Sequence, residues 1–347
     1  TGVANPYLLL EPSRTNLFLQ SEDFGASDWI TTGLSSLEIS ASISPEGYAN
    51  AYELTEDTTS GVHRIFDYFN YTTGSTYNFS VFAKSGTGSR RLCLIFGCGF
   101  GEDQAVFDLT TGEVKVEASG GTGSIVDMGN GWYRCTMTAT SANNGTSCAQ
   151  IQLRDGNTQD YTGNNSSSIL IYGAQLELGS YPTSYIPTYS VSATRASDNC
   201  NKTNASDVIG QTEGTMYVET TLQNIVDNKT LLRMGQSASF SNSHILQVIN
   251  QKVYAESYVG GANQAEIFTT AFSDGDKVKI GYAYKANDYV LYVNGVQIGT
   301  DTSASVPSSV GTLYVGNIAA TEQHPIKQAL LYKERLTNAE LATLTTI

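Results

Sequence analysis

The chain has 347 residues, enough for two or three domains at about 150 residues each. It carries 19 Lys and Arg against 33 Asp and Glu, a formal net charge of −14, with no basic block. Phosphate recognition needs clustered Lys or Arg, so this balance argues against a nucleic-acid partner. An aromatic content of 10% and a hydrophobic content of 40% supply a core and exclude disorder, and no run of about 18 apolar residues is available to insert in a membrane.

The N-terminal residues from Thr1 have neither a basic nor an apolar region, so no signal peptide is read. The missing initiating Met reads as a fragment or a processed product. In the first half, residues 77–84 alternate: Tyr77, Phe79, Val81 and Ala83 on one face, Asn78, Ser80 and Lys84 on the other. Period two is the signal of a half-buried strand. Segments 92–96, 105–108, 113–116, 132–139, 149–153 and 169–176 read the same way. Asn130-Gly131 is a turn dipeptide suited to positive φ. The glycines around Cys98 and Phe100 predict a tight turn or bulge. Prolines at 182 and 187, followed by a polar stretch, predict a boundary near 199–213. Beyond it, strands are predicted at 215–220, 231–234, 245–249, 252–257, 277–284, 289–293, 296–299, 311–315 and 326–332. Asn294-Gly295 marks a hairpin, and Thr337-Asn338-Ala339-Glu340 is a capping box before one short terminal helix. Many short strands with almost no helix predict an all-β chain of two antiparallel β-sandwiches. The expected division is 1–198 for the first domain, 199–213 for a linker and 214–347 for the second.

Five cysteines, Cys93, Cys98, Cys135, Cys148 and Cys200, have no zinc spacing. They read as mostly buried free thiols, with Cys135–Cys148 as the alternative disulfide. The three histidines, His63, His244 and His324, form no metal motif. No Gly-X-Ser-X-Gly elbow and no Glu-X-Asp-X-X-Glu strand is present. The acidic run from Glu53 through Glu56 to Asp57 reads as a solvated loop. No catalytic residue is assigned, although a lyase combining Tyr with Arg or His would leave no compact motif.

The first half resembles a module found in bacteriophage tail and fibre proteins. The resemblance is carried by Leu8-Leu9-Leu10-Glu11-Pro12-Ser13-Arg14-Thr15-Asn16-Leu17, Gln20-Ser21-Glu22-Asp23-Phe24, Gly129-Asn130-Gly131-Trp132-Tyr133-Arg134 and Tyr172-Gly173-Ala174-Gln175-Leu176-Glu177. It continues through Tyr181-Pro182-Thr183-Ser184-Tyr185-Ile186-Pro187. That module is similar to carbohydrate-binding jelly rolls. The second half resembles a concanavalin A-like, laminin-G-type sandwich, through Tyr289-Val290-Leu291-Tyr292-Val293-Asn294-Gly295, Leu313-Tyr314-Val315-Gly316-Asn317 and Arg335-Leu336-Thr337-Asn338-Ala339-Glu340-Leu341. The resemblances imply a virion component, extracellular on a phage tail or fibre. Its partners would be host surface glycans, other virion proteins and further copies of itself. A purely structural virion protein and a polysaccharide depolymerase, or its accessory module, are the alternatives, and the sandwich fold alone does not choose between them.

Sugar recognition needs aromatic faces and planar polar groups. Trp29 and Trp132 read as core residues. The candidate cluster is His63, Arg64, Asp67, Tyr68, Phe69 and Tyr71, whose alternative is a strand plus loop with half of its side chains buried. Arg90 and Arg91 are candidates for pairing with an acidic glycan. Tyr254, Tyr258 and Gln264 are candidates in the second half. No cofactor is required by any motif. By analogy with jelly-roll modules, Glu11, Glu22, Asp23 and Glu177 are oxygen donors for a structural Ca²⁺.

Overall fold

The computed structural model describes residues 8–223, 228–236, 240–316 and 324–347, with the side chain of His324 excluded. Thr1 and Asn317, cited above, lie outside the described residues. Two compact units are present. One is Arg14–Arg195; the other joins the described part of Thr1–Ser13 to that of Ala196–Ile347.

The first unit is a sandwich of two six-stranded antiparallel sheets. One sheet runs Glu113–Ala118, Asp103–Asp108, Arg91–Gly97, Gly145–Arg154, His63–Tyr71 and Ile30–Thr32 from edge to edge. The other runs Thr122–Gly129, Trp132–Thr140, Thr76–Ser85, Ser168–Leu178, Tyr52–Glu56 and Leu34–Ile39. The alternation read at 77–84 sets the packing: Tyr77, Phe79, Val81 and Ala83 all enter the core between the sheets. They meet Leu92, Leu94 and Phe96 and Ala149, Ile151 and Leu153 from the facing sheet. Each large apolar side chain buried this way contributes about 1.5–3 kcal/mol. Asn130-Gly131 makes its turn with φ of 55° and 78°, the conformation the dipeptide favours.

The second unit is also a pair of six-stranded antiparallel sheets. One contains Leu8–Leu10, His324–Tyr332, Glu213–Thr221, Lys277–Lys285, Tyr289–Val293 and Val296–Asp301 in spatial order. The other contains Cys200–Lys202, Thr312–Val315, Lys229–Gly235, Ser243–Ile249, Lys252–Val259 and Ala262–Phe268. The terminal helix Asn338–Thr345 starts at a complete capping box on Thr337 and Glu340 and buries Leu341.

Two expectations on organisation are corrected. Residues 8–13 do not belong with the first domain. Leu8–Leu10 pairs with the final strand, Leu8 opposite Ile326, and Leu10 is buried there. Nor is 199–213 a plain linker. Cys200–Lys202 adds an edge strand beside Thr312–Val315, and Ala205 and Ile209 enter the second core. A polar composition hid these few apolar anchors.

The cysteine reading is corrected as well. Cys98 and Cys148 form a disulfide, while Cys93, Cys135 and Cys200 are free. The register sets Cys148 opposite Gly97, beside Cys98 at the turn. Cys135 points into the core from the other sheet, whereas Cys148 lies on the face turned away from that core.

Candidate functional site

The strand His63–Tyr71 splits the sequence-level cluster between two faces. His63, Ile65, Phe69 and Tyr71 are buried, and the last three lie in the core. The ring nitrogens of His63 face the carbonyls of Gly33 at 2.6 Å and Tyr161 at 3.3 Å, with Asp57 3.6 Å away. The Tyr71 hydroxyl donates to the Gly99 carbonyl at 2.8 Å. These groups hold the fold, so the expected surface role of His63 and Tyr71 is corrected. Asp67 sits on the same side, half-buried at mid-strand. Burial pushes its carboxyl up to about 6, the Tyr68 N–H opposes this, and Asp28 adds to it.

Arg64, Phe66 and Tyr68 point the other way. The Arg64 guanidinium lies 4.9 Å from the Phe66 ring centroid, and Tyr68 meets Phe66 edge to face at 5.5 Å. Tyr68 is 52% exposed. The neighbouring strand Gly145–Arg154 brings Gln150, Gln152 and Arg154 to this outer face, because its alternate residues Ala149, Ile151 and Leu153 fill the core. Arg64 Nη1 donates to Gln150 Oε1 at 2.6 Å, and so does Gln152 Nε2 at 2.6 Å. Further along, Arg154 Nη2 donates to Gln104 Oε1 at 3.0 Å. Cys93, Ile95 and Val106, with Val116 beside them, form an apolar patch in the same face.

The result is a floor of buried amide and guanidinium groups with a half-exposed rim of Arg64, Gln104 and Arg91. Gln152 is 1% exposed, yet its Oε1 has no hydrogen-bond partner. A buried acceptor left unpaired costs about 1–3 kcal/mol, a cost that a buried water relieves, or a ligand hydroxyl once the side chain turns outward. Arg64 Nε and Arg154 Nε are likewise without a partner.

The two arginines singled out for an acidic glycan are occupied. Arg90 donates to both oxygens of Glu56, at 2.7 and 2.9 Å, and to Asp155 at 2.7 Å. Arg91 bonds Asp108 at 3.2 Å and Asn157 at 2.6 Å. Glu56 is fully buried in the strand Tyr52–Glu56, which corrects the reading of that run as a solvated loop. Burial raises its pKa, but Arg90, Tyr161 and the Asn164 N–H together hold it below the usual carboxylate value.

In the second sandwich, Tyr254 and Tyr258 also lie on an outer face. Tyr254 stacks on Phe268 at 4.9 Å. Tyr258 donates to Glu256 Oε1 at 3.3 Å, and Gln247 donates to Glu256 Oε2. Glu256 is buried, which raises its pKa, and nearby Glu266 adds to the effect. Arg233, 1% exposed, lies between the rings of Phe240 at 4.5 Å and Tyr314 at 5.0 Å. Gln264 falls beside the register break at Ser257 and Tyr258.

The tryptophans are structural. Trp29 Nε1 donates to the Gln20 carbonyl and Trp132 Nε1 to that of Ile43, each at 2.8 Å, and both rings are buried. The four calcium donors are divided between the two units. Glu11 belongs to the other unit, Glu177 accepts from Thr183, and Asp23 accepts from Tyr52 and Gly25. Among the described residues no group of three His, Cys, Asp or Glu is placed to hold a metal.

Sequence reading missed Gln104, Gln150, Gln152 and Arg154. For the last three the signal was present in the alternation of apolar odd and long planar even residues at 149–154.

No family model and no curated sequence matches the chain. Among solved structures it is similar to the Ruminococcus gnavus IT-sialidase CBM40 bound to alpha2,3 sialyllactose. There the identity is 18% and the TM-score 0.35, over 41% of this chain and 86% of that one. It is also similar to toad ovary galectin in complex with thio-digalactose, at 16% identity and TM-score 0.28, over 39% of this chain and 99% of that one. A third similarity is to the botulinum neurotoxin serotype D binding domain, at 10% identity and TM-score 0.35, over 42% and 39% of the two chains.

Proposed function

We propose that this protein is a non-catalytic glycan-binding component of a phage tail or fibre, and that its principal site is the outer face of the first sandwich. The observation that carries the reading is the row Arg64–Gln150–Gln152, with the buried Gln152 Oε1 left open. Planar amide and guanidinium groups match the paired hydroxyls of a sugar, and Tyr68, packed edge to face on the buried Phe66, supplies exposed aromatic surface beside the row. Such shallow sites bind weakly one at a time, and display in many copies raises the avidity without new contacts. The virion setting rests on the resemblance of the quoted motifs to tail and fibre modules.

The test is a glycan array and a host-cell binding assay with the full chain, single and multimerised. Binding that strengthens on multimerisation is expected. No binding in either form supports a structural virion role instead. New reducing ends or unsaturated products after incubation with host polysaccharide support a depolymerase.

A further inference from the structure

A pocket of 370 Å³ opens on the outer face of the other sheet of the first sandwich. Small-molecule sites span roughly 300–1,000 Å³. Its walls are the rings of Phe82, Tyr172 and Tyr185 and the side chain of Met128; its charged groups are Glu22 and Glu46. Tyr172 and Phe82 are cross-strand neighbours. Past Tyr172 the strand bulges at Gly173, where φ is 61° and a Cβ would stand 3.0 Å from the Tyr185 ring. Glycine there lets Tyr185 close against the strand as the third wall. The ring centroids lie 5.7–6.1 Å apart.

The Tyr172 and Tyr185 hydroxyls have more acceptors than protons, while Glu46 Oε2 also accepts from Asn50 Nδ2 at 3.1 Å and Glu22 Oε2 from the Tyr189 hydroxyl at 2.8 Å. The Tyr172 oxygen lies 2.7 Å from Glu46 Oε2 and 3.1 Å from Glu22 Oε1, and its single hydroxyl hydrogen can serve only one. The Tyr185 hydroxyl is shared between Ser21 at 2.8 Å and Glu22 at 3.3 Å. Among the described residues no Lys or Arg forms an ion pair with Glu22 or Glu46. Arg134 packs over Phe82, 5.4 Å from its centroid, and turns Nη2 to Ser80. Two carboxylates and three rings around an open volume form a site complementary to a cation with N–H donors.

We propose that this pocket binds a primary ammonium group on a sugar-sized body, as in an amino sugar with a free amine. The N–H groups bond Glu22 and Glu46, and the rings face the charge and the C–H surface. A quaternary ammonium meets the rings but brings no N–H to the carboxylates. A bare divalent ion is a poor match, because hard cations take six or more oxygens and not apolar walls. The site stands apart from the glycan face and does not depend on that reading.

The test titrates the full chain with glucosamine, N-acetylglucosamine and choline, by calorimetry or NMR. It is run at about pH 6, below the roughly 7.7–8.0 where an α-amino group titrates. Glucosamine is expected to bind, and the other two about tenfold more weakly or not at all. Glu46 is exposed and Glu46→Gln leaves the tyrosine bonds to Glu22 in place, so this variant is expected to weaken glucosamine about tenfold with unchanged melting temperature. Equal binding of N-acetylglucosamine, tighter binding of choline, or no binding of any probe overturns the proposal. Glucosamine binding that survives Glu46→Gln but is lost in Arg64→Ala overturns it by moving the ligand to the other face.

Discussion

The outer faces of the two sandwiches are built alike and finished differently. Each takes alternate residues of a central strand, long polar side chains in both cases. On the first, the amides form an open row, with Gln152 Oε1 unpartnered. On the second, Gln247 and Tyr258 both close on Glu256. Polar groups that satisfy one another hold a fold; polar groups left short keep capacity for a further partner. The difference therefore ranks the first face above the second as a binding surface, although both carry aromatic side chains and arginine.

The largest expected effect separates stability from binding within the first sandwich. Arg90→Met leaves Glu56 charged, buried and unpaired, and should destabilise that unit by about 3–5 kcal/mol, read by denaturant unfolding. A loss of glycan binding without that loss of stability would show that Arg90 contacts ligand. Next, Cys98→Ser removes a disulfide that closes a loop of sequence separation 50, and should cost about 2–4 kcal/mol. The same treatment of Cys135 should leave non-reducing gels unchanged.

The two units should also differ in their response to pH. Asp67 titrates at about 6 in the native first sandwich, against about 3.9 unfolded. The native state then holds more protons between these values, so this residue's contribution to stability falls as pH rises from about 4 to about 6. Asp67→Asn should remove that slope and raise the melting temperature at neutral pH. His244, in the second core, is held down to about 3 by burial; it stacks on Tyr284 at 3.8 Å and bonds Ser257 at 2.7 Å. Unfolded histidine titrates near 6.5. Below that the unfolded chain binds the proton first, so this contribution is lost as pH falls from about 6.5 toward about 3. Melting curves of His244→Phe across this window should lose that acid slope; an unchanged slope would contradict the buried neutral ring. The smallest effect is at the terminal helix, where Thr337→Ala removes the cap and should cost about 1 kcal/mol.

How far the sequence went can be judged from three strands. At 77–84 one face is wholly apolar and the other polar except for Phe82, so period two identified the core-facing residues correctly. At His63–Tyr71 both faces carry rings, and no local pattern says which set is inward; burial of His63 against the Gly33 and Tyr161 carbonyls decides it. At 149–154 the alternation was plain, but its meaning depended on which strands flank it, and the sheet order sets that. The Cys98–Cys148 pair and the Leu8–Leu10 edge strand are likewise products of register between distant segments. The Asn-Gly hairpins and the capping box are local, and they were legible.

The central claim is that the open polar row of the first sandwich, and not the closed one of the second, binds glycan. The most direct measurement compares glycan-array binding of the full multimerised chain with that of Arg64→Ala/Gln152→Ala and of Tyr254→Ala/Tyr258→Ala, with folding of each checked by melting temperature. Binding abolished in the first variant and kept in the second is predicted. Binding kept in the first and abolished in the second would contradict the account.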